Sequence, residues 1–341
     1  TQLCSGSIPT FCEGANDLSK TSRNKSRRDE EDSRSNNSST RGTQQFTCIG
    51  MSELDKYSGQ VLRHKFPDIK NYGDATKINP EDLPDFDMLC GGFPCQAFSI
   101  AGKRKGFKDI RGTMFFEVAR ILKIKRPKII LLENVKGLLN HAKGETFRVI
   151  LQTLDELGYE VQWMVLNSKF FGVPQNRERI FIVGSLRGKR RPEILPFSKS
   201  YSSFDEMGQQ VSSTIHSSYY KQGGRDQQYV PECKQLPETK GNSQGARIYK
   251  TKGISQAITS NSGGLGAKTG LYLDNMKIRR LTPKECERLQ GFPDGWTKHG
   301  IDEKGNAVEL SNTQRYKQMG NAVTVDVIEA IGARLSASCV T

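Results

Sequence analysis

Cys95 stands in the stretch Gly91-Gly92-Phe93-Pro94-Cys95-Gln96-Ala97-Phe98-Ser99, where glycines and a proline follow a short apolar run. A structural cysteine sits within an apolar run, as Cys90 does. A nucleophile instead needs an exposed sulfur whose thiolate is stabilised nearby. Taken alone, this loop is as compatible with structure as with chemistry. Two further clusters shift the balance: Glu133-Asn134-Val135 follows a second apolar run, and Gln175-Asn176-Arg177-Glu178-Arg179 precedes a third. A carboxyl group at the end of a buried strand can have its pKa raised enough to act as an acid at neutral pH. Arg177 and Arg179, by themselves, also fit an ordinary solvated pair.

The elements that would hold these groups alternate. Phe46–Met51 reads as a strand, followed by a helix through Tyr57, Val61 and Leu62. Phe86–Leu89 reads as a second strand, ending in the Cys90–Cys95 loop. Met114–Ile124 has helical spacing, and the continuous apolar run Lys128–Glu133 predicts a buried strand. A helix over Thr146–Leu157 and strands over Tyr159–Leu166 and Ile180–Leu186 complete the pattern. Strands alternating with helices of this length predict a parallel, doubly wound α/β sheet, with ligands bound at the carboxyl ends of the strands. Glu53, Asp74, the Pro94-Cys95 loop and Glu133 all fall there.

Residues 187–275 are polar, with short β-like pieces and no strong helix. Thr282-Pro283-Lys284-Glu285 then predicts a capping box opening a helix to Gln290. A last helix is expected to start near Asn321, with Val325, Ile328, Ile331 and Leu335 at helical spacing. The layout implies a first domain over 1–186, a second, smaller and mostly β domain over 187–312, and a terminal helix over 313–341 returning to the first.

Lys and Arg number 51 against 37 Asp and Glu, a formal charge of +14, so the expected partner is anionic. Nucleic acid comes first and an acidic membrane surface second. Residues 20–41 carry seven basic and four acidic side chains and no aliphatic or aromatic one, which predicts a disordered insertion. Most of the excess charge therefore belongs to the folded body. No apolar run is long enough to span a bilayer, and no secretory leader is evident, so an intracellular, cytoplasmic protein is expected. The 8 cysteines form no Cys-x-x-Cys pair, which argues against structural zinc, and no metal is expected.

Seven blocks together resemble the cytosine-5 DNA methyltransferase family of bacterial modification enzymes. They are SELDKY, GDATKI, GGFPCQAFS, ENVKGLL, QNRERIFIVG, RRLTPKECERLQGFP and QRYKQMGNAV, in that order between residue 46 and the end. The resemblance implies a Rossmann-like, S-adenosylmethionine-dependent methyltransferase sheet with a small target-recognition domain, of the type that acts on GCGC sites. It assigns Cys95 as the thiolate that adds to C6 of a flipped cytosine and Glu133 as the acid at N3. Arg179 becomes the contact to the target base, and Arg177 the support for the reacting loop and DNA. S-adenosyl-L-methionine would be held by Glu53, Leu54, Asp74, Ala75, Pro94 and Asn321, with Gly6 in the glycine loop. Ser99, Lys103 and Arg104, on a basic loop over 98–112, would meet DNA, as would Gln244 and Arg247.

One block departs from the pattern. The family's Phe-x-Gly-x-Gly turn follows the first strand, about 20 residues before the acidic ribose ligand. Here its counterpart, Leu3-Cys4-Ser5-Gly6-Ser7-Ile8-Pro9, lacks the aromatic and both later glycines. Its first strand is expected to be missing, cofactor binding weakened, and residues 20–41 intervene before Glu53. Two other readings share the scaffold: a tRNA cytosine-5 methyltransferase, and a cofactor-impaired DNA-binding homologue. A monomer acting on double-stranded DNA is expected, with a possible cognate restriction endonuclease acting on the same site but no stable complex.

Overall fold

The structure is a computed structural model and describes residues 10–14, 46–94, 114–188, 194, 195, 197, 248–250, 255–259, 271–274 and 277–339. The first half supplies β1 (Thr10–Gly14), β2 (Phe46–Met51), α1 (Lys56–Lys65), β3 (Met88–Gly92), α2 (Met114–Lys125) and β4 (Ile129–Val135). It continues with α3 (Glu145–Glu156), β5 (Tyr159–Asn167), β6 (Gln175–Asn176) and β7 (Glu178–Leu186). The second half contributes β8 (Ile248–Lys250), β9 (Ser255–Gln256), β10 (Leu271–Asp274), β11 (Lys277–Arg279) and α4 (Pro283–Leu289). After β12 (His299–Ile301) and β13 (Ala307–Glu309) come α5 (Asn312–Asn321) and α6 (Val325–Cys339).

Six strands form the central sheet in the order β2-β1-β3-β4-β7-β5. The sheet is mixed where a parallel one was expected. β3 and β4 run parallel, but β7 is antiparallel to both β4 and β5, and β1 is antiparallel to both β2 and β3. Thus β2, β3, β4 and β5 point one way and β1 and β7 the other. The β5–β7 reversal follows from the short connection across residues 168–177, too short for a helical crossover.

Alternation along β4 explains the layering. Ile130 and Leu132 face one side, where Phe115, Ile121 and Leu122 of α2 and Ile150 and Leu154 of α3 cover them. Ile129 and Leu131 face the other, against Val327, Ile331 and Leu335 of α6. Both faces are buried, as the unbroken apolar run requires. Truncating Leu132 to Ala should cost about 2–5 kcal/mol. A β-carbon on Gly184 of β7 would fall 2.6 Å from Ile130 Cγ1, so that close pass between strands needs glycine.

The expected capping box is present: Glu285 N donates to Thr282 Oγ1, and Thr282 N donates to the Glu285 carboxylate. The last helix begins at Val325, not near Asn321. Asn321 instead ends α5, a polar helix with few apolar positions to betray its period. Buried Glu287 of α4 accepts from Gly295 N, Thr297 N and Oγ1, and Arg315 Nη2 of α5, locking the turn after α4 to α5. A third apolar cluster joins Ile258, Cys286, Phe292, Tyr316, Met319 and Ala322.

Candidate active site

Glu133 lies near the carboxyl end of β4, where its register partner in β3 is Gly92. The next residues of β3's chain are Phe93 and Pro94, so the loop towards Cys95 leaves the sheet beside Glu133. Asn134, buried next to Glu133, secures that geometry. Its Nδ2 donates to Phe93 O at 2.7 Å, and its Oδ1 accepts from Val135 N at 2.8 Å. Phe93 is buried and packs against Phe115 with ring centroids 5.3 Å apart. Pro94 is exposed.

Antiparallel β7 brings the arginines in from the opposite direction. Arg179 Nε sits 3.0 Å from Glu133 Oε1, and Arg179 Nη1 donates to Glu178 O. Burial pushes the Glu133 carboxyl above its ordinary pKa, although Arg179 and Arg177 both oppose the shift. Arg179 is pulled below its usual value by burial, with Glu133 opposing. Desolvation dominates both partners, so burial favours the neutral form of the Glu133 carboxyl.

Arg177 does not share that opening. It is 2% exposed, and its guanidinium donates to Ile258 O at 2.9 Å, Gly320 O at 2.9 Å and Ala322 O at 2.8 Å. Burial and the neighbouring Arg179 lower its pKa to about 9, with Glu133 opposing. The side chain expected to support the reacting loop and DNA is instead enclosed by backbone carbonyls.

Elsewhere along the sheet's carboxyl edge, β2 ends at Met51 and is followed by Ser52, Glu53 and Leu54. Asn71 clips this turn: its Oδ1 accepts from Glu53 N and Gly73 N, and its Nδ2 donates to Glu53 O. Ser52 Oγ donates to Gly73 O, and Glu53 Oε1 accepts from Asp55 N. Asp74 caps a short turn through Oδ1, which accepts from Thr76 N and Oγ1. Those hydrogen bonds hold its pKa below the ordinary carboxylate value. Ala75 is buried behind it. Leu54 is 72% exposed, the most exposed large apolar side chain among the described residues. Exposed Leu54, with Glu53 before it and Asp74 beyond the Asn71 clip, supplies the kinds of group that suit the nucleoside of S-adenosylmethionine: an apolar face and acceptors for hydroxyl and amino groups. Asn321, at the end of α5, follows the carbonyl of Gly320 that Arg177 holds.

The structure therefore joins Glu133 and Arg179 at one strand end, with Pro94 two residues beyond Gly92, the register partner of Glu133, and gathers Glu53, Leu54, Asp74 and Ala75 around the turn that Asn71 clips. Cys95, Gly6, Ser99, Lys103, Arg104, Gln244, Arg247 and the insertion 20–41 lie outside the described residues. What is described next to Gly6 is β1, which it precedes, whereas the family's glycine turn follows its strand. Thr10 pairs with Met51 and Cys90, so the chain enters β1 from the carboxyl ends of β2 and β3. Gly14 pairs with Phe46 at the far edge, where residues 15–45 leave and return. Asn71, Asn134 and Gln175 carry much of this geometry, and sequence reasoning did not single them out. Their signal was position alone: an amide beside a motif acid or a motif arginine.

A mixed sheet with charged groups gathered at its carboxyl edge is an α/β scaffold that binds ligands there, and sequence and structure comparisons specify it further. Residues 37–337 match the C-5 cytosine-specific DNA methylase family, and the chain belongs to it. It is similar to the type II methyltransferase M.HhaI of Haemophilus parahaemolyticus, with 37% identity over 299 residues, covering 85% of this chain and 88% of that one. It is also similar to the type II methyltransferase M.HpaII of Haemophilus parainfluenzae, 40% identical over 317 residues, covering 84% and 82% respectively. The solved S. pombe Dnmt2 methyltransferase shares the fold, with a TM-score of 0.57 at 19% identity over 84% of this chain and 89% of that one. The chain is thus a DNA cytosine-5 methyltransferase by class, with S-adenosyl-L-methionine as methyl donor. No helix among the described residues is long and apolar enough to cross a membrane.

Proposed function

We propose that this chain methylates C5 of a cytosine flipped out of a specific duplex DNA site, with Cys95 adding covalently to C6. The supporting observation is the Glu133–Arg179 pair at 3.0 Å, beside the register position of Gly92 from which the Cys95 loop departs. Carbon 5 of cytosine is a poor nucleophile. Addition of the Cys95 sulfur to C6 turns the C5–C6 double bond's electron pair towards C5, and protonation of N3 by Glu133 eases that addition. Arg179 orients Glu133 and meets the base. Methyl transfer to C5 is followed by loss of the C5 proton, and the returning electron pair expels the thiolate. Since these groups cannot reach a stacked base, the nucleotide must leave the helix, at a cost of roughly a few kcal/mol.

Under this reading Glu53, Leu54, Asp74, Ala75, Pro94 and Asn321 bind the methyl donor, with Gly6 in the segment entering β1. Ser99, Lys103 and Arg104 contact the phosphate backbone, and Gln244 and Arg247 read the target within residues 187–312. Its relatives are named type II methyltransferases, and on that ground the proposed setting is restriction–modification inside the cell, with a monomer acting on genomic DNA and a cognate endonuclease sharing its site without a stable complex.

The test is a covalent trap. Duplex DNA carrying 5-fluorocytosine cannot lose a C5 proton, so the adduct should persist through a denaturing gel when S-adenosylmethionine is present. The parent should shift and Cys95→Ser should not. An equal shift in the variant would remove Cys95 from its role, and methyl transfer to tRNA but not to duplex DNA would change the substrate.

A further inference from the structure

The enclosed guanidinium of Arg177 joins three parts of the molecule whose work must coincide. It lies between β6 and β7, and two residues later β7 carries Arg179 to Glu133. Its Nη1 holds Ile258 O, and its Nη2 holds Gly320 O and Ala322 O on either side of Asn321. These three bonds use Nη1 and Nη2, while Nε, also buried, has no hydrogen bond among the described residues. Gly320 and Ala322 lie at the end of α5, where helix carbonyls lack intrahelical donors and a cation is favoured.

Gln175, fully buried, grips the same residue from β6. Its Oε1 accepts from Ile258 N at 3.3 Å and its Nε2 donates to Leu289 O at 2.7 Å. The two side chains thus take both backbone groups of Ile258. Parallel pairing of Gln175 with Ser255 and Asn176 with Gln256, and the bond from Ser255 N to Pro174 O, extend the grip along β9. Ile258 itself is 1% exposed, wedged between Cys286, Phe292 and Met319. Residues 255–259 lie in sequence between Gln244–Arg247 and the glycine-rich stretch Gly263–Gly266.

We propose that Gln175 and Arg177 are positioning residues that couple target recognition, and through Arg177 also cofactor binding, to the Glu133–Arg179 pair. This rests on the functional reading above. The geometry favours it over a DNA contact for Arg177, because a side chain 2% exposed, with both terminal nitrogens held by backbone carbonyls, is turned away from a phosphate. Lysine is a poor replacement: its single ammonium cannot reproduce the planar fork that spans Ile258 on one arm and the α5 end on the other. The two residues also differ in a useful way. Gln175 touches the recognition side alone, whereas Arg177 touches both.

The test compares the full-length parent with Gln175→Leu, Arg177→Lys and Arg177→Met, each first checked for folding by its thermal transition. Plasmid DNA is methylated and bisulfite-sequenced, giving preference for the favoured site over its single-base variants. Binding of S-adenosylmethionine is measured separately by calorimetry. Gln175→Leu should lower site preference about tenfold while cofactor affinity stays within about twofold. Arg177→Lys should lower preference similarly and weaken cofactor binding about tenfold, with lysine recovering part of what Met loses. Site preference unchanged in folded Gln175→Leu and Arg177→Lys overturns the proposal, as does equal weakening of cofactor binding by both. A parent that methylates no DNA refutes the functional reading instead. The coupling is then judged by calorimetry alone: weakening in Arg177→Lys but not in Gln175→Leu supports it, and any other pattern overturns it.

Discussion

Glu133 and Glu53 both sit at carboxyl ends of strands, yet they are held by opposite means. Glu133 is answered across the sheet by a guanidinium from an antiparallel strand, and burial raises its pKa. Glu53 is held by neutral amides close in sequence, from Asp55 N and the Asn71 side chain. The first arrangement exists only if β3, β4 and β7 are in register. The second is assembled from β2 and residues 70–74, with no contribution from β1 in any of these bonds. That difference explains how a cofactor-side turn can form beside a β1 that runs opposite to its neighbours. It also says where each half should fail.

The largest effect is expected at Glu133. Glu133→Gln keeps the shape and a hydrogen-bonding end but cannot donate a proton to N3 as an acid, so turnover should fall by about 10²–10⁴-fold. The pH dependence carries the sign. Because the folded pKa is raised, the protonated form is lost as pH rises through that value, and the parent's kcat should decline there. The same group's contribution to stability is present at low pH and lost through the same window. Stopped-time methylation assays across pH should show that alkaline limb in the parent and none in the variant's residual rate. A limb that survives in Glu133→Gln would assign the titration elsewhere.

Asn71→Ala probes the other half. It removes the acceptor of Glu53 N and Gly73 N and the donor to Glu53 O, and should weaken S-adenosylmethionine binding by about 1–3 kcal/mol. Turnover at saturating cofactor should change little, since nothing in the turn touches Glu133. A fall in kcat with unchanged affinity would show instead that the Asn71 turn acts on the Glu133 cluster and not on the cofactor.

The parts legible in the sequence were those where one physical signal dominates. The apolar run Lys128–Glu133 announced β4, and Thr282-Pro283-Lys284-Glu285 announced α4, because burial on two faces and capping both leave local marks. The identity of the Glu133 and Glu53 clusters was legible through the motif blocks. Strand direction was not. Nothing within Thr10–Gly14 or Glu178–Leu186 encodes whether a neighbour runs parallel, since the same alternation serves both. Nor was the burial of Arg177, whose partners are backbone carbonyls from positions far along the chain and carry no residue signature.

The direction of β1 sharpens the comparison further. Gly14 and Phe46 pair at the edge of the sheet away from Glu53, so the connection between them starts and ends far from the cofactor-side turn. Deleting residues 20–41 should therefore leave cofactor affinity within about twofold, because the length of a connection costs only slowly growing loop entropy. Calorimetry on the shortened chain checks this. A clear gain in affinity would mean the insertion reaches around the sheet to the site.

The smallest effect lies at an ion pair that ties α5 to the start of α1. Lys317 Nζ of α5 sits 2.8 Å from Asp55 Oδ2 at the start of α1, and Asp55 Oδ1 caps α1 by accepting from Ser58 N. Burial works against the Asp55 charge, but Lys317 and Ser58 outweigh it and leave the carboxyl below its ordinary pKa. A lowered folded pKa contributes stability above the unfolded value, and that stability disappears as pH falls through the folded one. The lysine is substantially exposed, so screening and side-chain entropy leave about 0.2–1 kcal/mol to the pair. Lys317→Met should accordingly lower stability by that amount at neutral pH and in low salt, and by less at high salt. Below the parent's Asp55 titration the two proteins should converge, because a neutral carboxyl no longer rewards the ammonium. Urea unfolding at several pH values would show the gap closing on the acid side. A constant gap at every pH would assign the loss to packing of the lysine stem, and the contact would then carry no charge coupling between α5 and α1.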